Sequence, residues 1–233
     1  MTKKHNSEII SDGYHDYVFK DGELVGRFDD MYCHSKEIPW HQDKTADRLF
    51  VDLDISIIKH FIPKFNIKSL CDIGCGLGYV TARLHDELAP HIGDFKVTGL
   101  DISPEATRKA KQLHPDLEFF SANIMTDNME QWRGQFDFIY MKDVLWYVCQ
   151  DADGFIDKVV QLLRNGGLYV LQSVPDSKEF IGSDVFPTTF SIADFLSERF
   201  EPVYISSTYE VDTARIIGDY AKDKYLRFLG KKS

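Results

Sequence analysis

The chain has 233 residues, of which 43% are hydrophobic and 13% aromatic, so it can bury one sizeable core and is expected to form one globular unit. Its net charge of −10, with no cluster of lysines and arginines, disfavours nucleic acid as a partner. No stretch approaches the roughly 18 apolar residues of a membrane span, and the first ten residues lack the apolar core of a signal peptide. We therefore expect a soluble, cytoplasmic protein without a membrane partner.

Residues 1–66 form a first part that is polar and rich in aromatic side chains. It opens with a lead-in of little helical or strand period, followed by an apolar-striped segment from Lys44 to about Phe61. We interpret this segment as a helix stopped by Pro63. The aromatic lead-in favours a lid that folds over a core domain built from residues 67–233.

The second part alternates apolar runs of strand length with segments of helical period. The runs are rich in β-branched and aromatic residues, which is typical of parallel strands buried on both faces. Ser103 followed by Pro104 marks one helix start. The alternation predicts an α/β fold with a doubly wound, mostly parallel sheet. The predicted strands cover 67–73, 95–101, 117–122, 136–142 and 167–174, and the helical segments between them cover 79–89, 103–114, 126–133 and 151–164.

The last part of the chain, from about Phe186, carries weaker signals. We expect a helix over 191–200 and a strand over 202–207. The final segment, from Ala214 to Leu229, has the pattern of a strand followed by a helix.

The four cysteines give no metal-binding spacing. Only Cys71 and Cys75 lie close together, Cys71 falls inside a predicted strand, and no second Cys/His pair accompanies them. We interpret all four, including Cys33 and Cys149, as structural free thiols of a reducing compartment, and we predict no metal site.

A glycine-rich turn follows the first predicted strand, in the stretch "DIGCGLGYV". Open α/β sheets bind ligands at this point, and glycine lets another group approach the backbone closely. A dinucleotide fingerprint would need a further glycine where Tyr79 stands. The spacing therefore disfavours a nicotinamide-dependent oxidoreductase.

Five stretches along the chain resemble, in order, the motifs of class I S-adenosylmethionine (SAM)-dependent methyltransferases. They are "LCDIGCGLGYVTARL", "VTGLDISPEATRKAK", "FFSANIMTD", "FDFIYMKDVLWYV" and "LLRNGGLYVLQSV", and they span residues 67 to about 175. Asn165 stands where the family usually has proline before two glycines. The resemblance implies a Rossmann-like, seven-stranded sheet, SAM as the cofactor, and methyl transfer as the activity.

The resemblance also implies which residues bind the cofactor. Asp101 would accept hydrogen bonds from the ribose hydroxyls, while Asp72 would lie near the cationic methionine end. Asn123 would contact the adenine amino group. Alternatives are a turn or helix cap for Asp72, a helix cap for Asp101 and a turn residue for Asn123. The predicted cofactor-binding residues are Asp72, Gly74, Cys75, Gly76, Gly78, Asp101, Ile102, Asn123, Ile124 and Met141.

Acceptor residues are expected in the lid and after the fourth strand of the core. The lid stretch "IPWHQDK" resembles one found in methyltransferases of surface-polysaccharide and sugar-modifying gene sets. Imidazole suits general-base work near neutrality, so His41 is one candidate catalytic base. Asp143 is the other, because it stands where small-molecule methyltransferases that the chain resembles often have an acidic residue. Alternatively, Trp40 anchors the lid, His41 is an exposed residue, and Lys142 forms a solvated pair with Asp143. The predicted acceptor-binding residues are Tyr14, His15, Tyr32, Trp40, Lys142, Trp146 and Tyr147.

The expected reaction is O-methylation of a sugar, nucleotide-sugar or phosphorylated metabolite in polysaccharide or natural-product biosynthesis. A small-molecule N-methyltransferase, a SAM-binding protein without catalysis and a protein methyltransferase remain alternatives. We expect a small-molecule acceptor as partner and a monomer or homodimer.

Overall fold

A computed structural model of the protein describes residues 9–174, 181–211 and 222–232. Within these ranges, seven strands form one sheet and two short strands form a hairpin in the lead-in. The hairpin strands are β1 (Phe19–Lys20) and β2 (Glu23–Leu24), and the sheet strands are β3 (Ser69–Ile73), β4 (Lys96–Asp101), β5 (Glu118–Ser121), β6 (Phe136–Lys142), β7 (Leu163–Val174), β8 (Phe200–Val211) and β9 (Lys222–Lys232).

The strands of the main sheet follow the order β5-β4-β3-β6-β7-β9-β8. Strands β3 to β7 pair in parallel, whereas β9 runs antiparallel to both of its neighbours. This topology confirms the α/β fold with a mostly parallel, seven-stranded sheet. The strand order changes direction at β3: β4 and β5 lie on one side of this strand, and β6 and β7 lie on the other.

Helices cover both faces of the sheet and also occur in the lead-in. Ser103 caps one of them, because its Oγ accepts a hydrogen bond from the Ala106 amide at 3.0 Å, as the sequence predicts. The helices of the described residues are α1 (His15–Val18), α2 (Phe28–His34), α3 (Gln42–Thr45), α4 (Leu49–Phe65), α5 (Tyr79–Ile92), α6 (Pro104–Leu113), α7 (Leu145–Val148), α8 (Ala152–Leu162) and α9 (Thr189–Ser197), with 3₁₀ turns at Pro39–His41, Glu130–Trp132 and Cys149–Asp151.

The two largest apolar clusters of the core lie on opposite faces of the sheet. Since successive side chains of a strand point to opposite faces, β6 contributes Ile139 and Met141 to one cluster and Phe138 and Tyr140 to the other. Helices α8 and α9 pack on the first face, and α4 and α5 pack on the second. Of the helices described, none has the length and apolar composition needed to cross a membrane.

Two helix predictions need correction in the first part of the chain. The lead-in contains short helices, and the segment from Lys44 is interrupted because Arg48 has an extended backbone, with φ −81° and ψ 152°. Helix α4 begins only at Leu49 and continues through Pro63 to Phe65. Pro63 lies in the last turn, where the missing N–H removes a single helical hydrogen bond.

Two further helix predictions are wrong in the second part. Residues 126–133 form only a 3₁₀ turn, because Asp127 and Asn128 accept hydrogen bonds from the nearby Asn123 and Glu130 amides and so compete with helical bonding. Residues 222–229 belong to β9, whereas residues 212–221 lie outside the described ranges.

Strand β7 begins earlier than predicted and includes the two glycines of the fifth motif. A Cβ on Gly166 would lie 1.4 Å from the carbonyl oxygen of Asp137, so the backbones approach too closely there for any side chain.

Candidate cofactor and acceptor site

A cavity of about 470 Å³ lies between the carboxyl ends of the central strands and the lead-in. Its floor comes from residues at or just after the ends of β3, β4 and β6, where the strand order reverses. Its roof comes from lead-in residues between Tyr14 and Arg48. Small-molecule sites usually enclose about 300–1,000 Å³, so the volume suits a cofactor with part of an acceptor.

The glycine-rich loop joins β3 to α5 and contacts this cavity at Gly74 and Cys75. Gly74, Gly76 and Gly78 have φ values of 77°, 54° and 79°, which disfavour other residues. A Cβ on Gly76 would lie 2.5 Å from the Gln42 amide, and one on Gly78 would lie 2.6 Å from the Phe119 ring. The groups that lie closest to the Gly76 and Gly78 backbone are therefore side chains of the protein itself, those of Gln42 and Phe119.

Asp101 ends β4 and presents a buried carboxylate to the cavity. Its Oδ2 accepts a hydrogen bond from the Gly76 amide at 2.8 Å, and its Oδ1 accepts one from the Ser103 amide at 2.9 Å. Burial raises the pKa of Asp101, although these two bonds oppose the rise. Each carboxylate oxygen has a second lone pair, so Asp101 can still accept bonds from two hydroxyl donors.

Asp72 lies near the end of β3 and also faces the cavity. Its Oδ2 accepts a hydrogen bond from the Thr81 hydroxyl, in the first turn of α5, at 2.6 Å. Burial raises the pKa of Asp72 to about 7, and the charge of Asp101 adds to this rise. A cation in the cavity would favour the charged form of this carboxyl.

Residues after β4 and β5 form a third part of the wall, which includes Ile102, Asn123 and Ile124. The Asn123 Oδ1 accepts a hydrogen bond from the Met125 amide at 3.0 Å, so part of this side chain stabilises a local turn. The Asn123 side-chain NH₂ group can still donate to a ligand.

The lead-in is attached to α6 by α2. Asp29 Oδ1 accepts hydrogen bonds from the Ser103 hydroxyl at 2.7 Å and from the Glu105 amide at 2.8 Å. The Lys109 ammonium group donates to the Tyr32 carbonyl at 2.5 Å. The sequence analysis missed Asp29, because the residues that it contacts are more than 70 positions away.

Helix α3 attaches the lead-in to the glycine-rich loop. Gln42 Oε1 accepts a hydrogen bond from the Leu77 amide at 2.7 Å, and Gln42 Nε2 donates to the Tyr32 hydroxyl at 2.8 Å. Burial raises the pKa of Tyr32 well above its usual value, so its hydroxyl stays neutral. The lead-in thus covers the loop directly, as a lid does.

Aromatic rings of the lead-in and of α7 form one side of the cavity. The ring centroid of Trp40 lies 5.6 Å from that of Tyr14 and 6.3 Å from that of Tyr147. Phe28 packs edge-on against Tyr147 at 5.2 Å. These rings give this side of the cavity an apolar wall.

Trp40 and His41 have left-handed backbone conformations, with φ values of 50° and 47°. Such conformations cost of order 1–3 kcal/mol for residues other than glycine and are concentrated at functional sites. His41 is exposed and lines the cavity, so the strained turn brings an imidazole to its mouth.

Lys142 and Asp143 form an ion pair of 2.7 Å at the cavity wall. Asp143 Oδ1 also accepts a hydrogen bond from the Ser173 amide at 2.7 Å. Burial alone would raise the pKa of Asp143, but the Lys142 charge and the Ser173 bond outweigh it and hold the pKa below its usual range. A carboxylate in this state is a weak proton acceptor.

Five of the predicted site residues do not line the cavity, among them Gly76 and Gly78. His15 is exposed, and its ring stacks on Tyr14 at 4.4 Å. Met141 and Trp146 are buried in the core below the cavity floor. The remaining lining residues that the sequence analysis did not name are Phe28, Gln42, Thr45, Arg48, Ile73, Val80, Leu100, Ala122, Met125, Tyr140, Val144, Val148 and Phe155.

All four cysteines are free; Cys71, Cys75 and Cys149 are buried, and Cys33 is exposed. Across the part of the chain that the structure describes, no three histidine, cysteine or acidic side chains converge as metal ligands would.

Comparison with known proteins agrees with this geometry. Residues 71–169, which include much of the cavity floor, match a family described as a methyltransferase domain. Trans-aconitate 2-methyltransferase of Escherichia coli strain SE11 is 32% identical over 116 residues, which are 50% of this chain and 42% of that protein. Residues 71–169 therefore resemble a class I SAM-dependent methyltransferase domain.

Solved structures resemble this methyltransferase domain and its surroundings in fold. Magnesium protoporphyrin IX methyltransferase from Synechocystis PCC 6803 with bound SAM has a TM-score of 0.57 at 15% identity, over 94% of this chain and 95% of that one. The N-methyltransferase NodS from Bradyrhizobium japonicum WM9, in complex with S-adenosylhomocysteine, has a TM-score of 0.57 at 20% identity, over 83% and 91%. The match to the curated relative above spans less than half of that relative's length.

Proposed function

We propose that this protein is an enzyme that transfers the methyl group of SAM to a small polar acceptor held beneath the lid. The observation that carries the proposal is the buried Asp101 carboxylate, which faces the cavity beside the glycine-rich loop of a methyltransferase domain. A vicinal pair of ribose hydroxyls is the donor set that such a carboxylate can bind with both oxygens.

The cavity residues fit SAM in shape and in charge. Asp101 would bind the ribose, Ile102, Asn123 and Ile124 would flank the adenine, and Asp72 would face the cationic methionine end. When bound, SAM supplies an activated methyl group and leaves as S-adenosylhomocysteine after transfer. The task of the protein is to bind both reactants in line and to exclude water.

His41 is the better supported of the two candidate bases. For a hydroxyl acceptor, the acceptor oxygen forms the new bond to the methyl carbon, the carbon–sulfur bond breaks with its electron pair going to sulfur, and the hydroxyl proton passes to the His41 imidazole. Asp143 is held ionised by Lys142 and Ser173, which makes it a poorer proton acceptor. Asp143 therefore serves to position Lys142 at the wall.

The preferred acceptor is a sugar, nucleotide-sugar or phosphorylated metabolite of polysaccharide or natural-product biosynthesis, methylated on oxygen in the cytoplasm. The lid stretch "IPWHQDK" supports this class, because it resembles one found in methyltransferases of surface-polysaccharide and sugar-modifying gene sets. It also supplies Trp40 at the wall and His41 at the mouth of the cavity. An amine acceptor would need less from a base, because an unprotonated amine is already nucleophilic, so an N-methyltransferase would be less affected by loss of the His41 imidazole. We propose a monomer or homodimer that acts without nucleic acid or a membrane.

Titration of the purified protein with SAM, and separately with NAD, tests the cofactor assignment. We expect SAM to bind and NAD not to bind. Asp101→Asn removes the charge that receives the ribose hydroxyls, so the Kd for SAM should rise about 10- to 100-fold, as expected for loss of a hydrogen bond to a charged group. Calorimetric titration gives both constants.

Asp116→Asn is the matched control, because it removes a carboxylate from an exposed turn outside the cavity. It should leave the SAM affinity unchanged. Binding of NAD without SAM, or equal SAM affinity in Asp101→Asn and the parent protein, would contradict the proposal.

A further inference from the structure

We propose that the acceptor carries a carboxylate or phosphate group and that Arg48 binds this group. The inference rests on the proposed function and narrows its acceptor to anionic compounds. It depends on the placement of Arg48, on the pairing of its acidic neighbours, and on the distribution of charge around the cavity.

The backbone of Arg48 is fixed at the start of α4. Its amide donates to the Thr45 carbonyl at 3.2 Å, and its carbonyl accepts hydrogen bonds from the Val51 amide at 3.0 Å and the Asp52 amide at 3.3 Å. Arg48 lines the same cavity as His41 and Thr45. Arg48 is an exposed residue, so its guanidinium stands at the open, lid side of the cavity, on a backbone position that these bonds hold.

The acidic residues nearest to Arg48 in sequence are bonded to a different arginine. Arg83, on α5, forms ion pairs with Asp52 and, at 3.6 Å, with Asp47, and it also donates to the Ala46 carbonyl at 2.5 Å. Among the described residues, Arg48 has neither an ion-pair partner nor a side-chain hydrogen bond. Within the described ranges, Arg48 is thus the cavity-lining arginine whose charge is unpaired.

Lys142 is the other basic residue that lines the cavity among the described residues. Its charge is already neutralised, because it is paired with Asp143 at 2.7 Å. The carboxylates of Asp72 and Asp101 lie on the floor, at the ends of β3 and β4, where they suit the cationic and hydroxyl groups of a cofactor. Among the described cavity residues, the positive charge without a partner is therefore that of Arg48, on the lid side, where the acceptor would enter.

The chemistry of the guanidinium selects the acceptor class. Its planar array of five N–H donors matches a carboxylate or a phosphate with two parallel hydrogen bonds. Trp40 and Tyr147 line the same cavity and offer apolar surface to the rest of an acceptor bound there. A neutral sugar would leave the arginine without a charged partner, whereas a sugar phosphate or a polycarboxylate would neutralise it.

The test is a titration of the protein saturated with S-adenosylhomocysteine, using three probes. Trans-aconitate supplies carboxylates, glucose 6-phosphate supplies a phosphate, and glucose is the neutral counterpart of the latter. We expect at least one anionic probe to bind at least tenfold more tightly than glucose. The tighter of the two anions then distinguishes a carboxylate from a phosphate acceptor.

Arg48→Gln should weaken the binding of that anion by about 10- to 100-fold, the range of a charge-assisted pair, and leave the affinity for S-adenosylhomocysteine unchanged. Lys44→Gln is the matched control: it removes one positive charge from an exposed position of α3 outside the cavity and should change anion binding by less than twofold. Thermal unfolding of both variants shows that they are folded.

Two results overturn the inference: neither anion binds better than glucose, or Arg48→Gln binds the preferred anion as the parent protein does. Failure of the proposed function is distinguishable from these results, because S-adenosylhomocysteine and SAM would then not bind at all.

Discussion

Asp72 and Asp143 show how one cavity holds two carboxyl groups in different charge states. Asp72 has a single hydroxyl donor, from Thr81, and burial raises its pKa to about 7. Asp143 is paired with Lys142 and bonded to the Ser173 amide, and its pKa is lowered. The balance between burial and nearby positive charge decides the sign of each shift.

The raised pKa of Asp72 makes the stability of the free protein depend on pH. The unfolded chain loses this proton near pH 4, whereas the folded protein keeps it up to about pH 7. The folded state therefore binds more protons between these values, and the free energy of unfolding falls as the pH rises through this window. Asp72→Asn should remove this pH-dependent fall in the free energy of unfolding. It should stabilise the free protein by about 2–4 kcal/mol at pH 8 and have little effect near pH 4.

Urea unfolding of the parent protein and of Asp72→Asn at pH 4, 6 and 8 measures this difference. Asp94→Asn, at an exposed position, is the control and should show no pH-dependent gain. A gain of the same size at all three pH values would mean that Asp72 is ionised throughout in the folded protein.

At the scale of elements, the lid is attached by hydrogen bonds between single side chains and distant backbone groups. Asp29 on α2 bonds to the start of α6, and Gln42 on α3 bonds to the Leu77 amide of the glycine-rich loop. Lid side chains also pack on Leu77 and Ala106 in one apolar cluster that is separate from the two clusters of the sheet, so the lid can open locally without unfolding of the sheet.

Asp29→Ala should loosen the lid more than it weakens the whole protein. The change leaves the Glu105 amide without its acceptor and removes the bond to the Ser103 hydroxyl. A loss of about 1–3 kcal/mol in local stability corresponds to roughly 10-fold or faster amide hydrogen exchange in the lid. Exchange measured by mass spectrometry over residues 9–45 and over β6 separates local from global opening.

Asp30→Ala is the neighbouring control on the same helix. Asp30 pairs with Arg27, three residues earlier, in a partly exposed ion pair that contributes little. If Asp30→Ala and Asp29→Ala raised amide hydrogen exchange in the lid equally, the faster exchange would not come from loss of the bonds between Asp29 and α6.

At the scale of the whole molecule, a buried polar cluster joins the first and last parts of the chain. Asp54 on α4 accepts hydrogen bonds from the Tyr140 hydroxyl at 2.9 Å, the Tyr169 hydroxyl at 2.8 Å and Arg227 Nε at 2.8 Å. Asp54 and Arg227 are both almost fully buried. The cluster therefore ties α4 to β6, β7 and β9 through the core.

Arg227→Met should destabilise the protein by about 3–5 kcal/mol, because it leaves the Asp54 carboxyl buried without its positive partner. The double variant Asp54→Asn with Arg227→Met removes both charges and should recover a large part of this loss. Denaturant unfolding of the single and double variants measures the coupling. A double variant that is less stable than Arg227→Met would show that the charge of Asp54 is not the cause.

Local sequence patterns predicted the parallel sheet, the Ser103 cap and the glycine-rich turn, and the resemblance of five motifs indicated the methyltransferase family. Each of these depends on residues close together in the chain: the apolar runs of the strands, the Ser103–Pro104 pair, and a carboxylate placed at a strand end, as at Asp101. Parallel strands then bring their carboxyl ends to one edge, so most of the cavity floor also follows from the sequence.

The tertiary structure alone decided the contacts between distant residues. Gln42 lies against Gly76, β9 is a strand paired on both sides, and Arg83 pairs with the two aspartates nearest to Arg48 in sequence. No local pattern encodes these pairings, because burial, hydrogen bonds and charge pairing depend on which groups the folded chain brings within a few ångströms. The charge state of Asp143 and the lack of a partner for the Arg48 guanidinium among the described residues are properties of that arrangement, and the proposed acceptor class rests on the second of them.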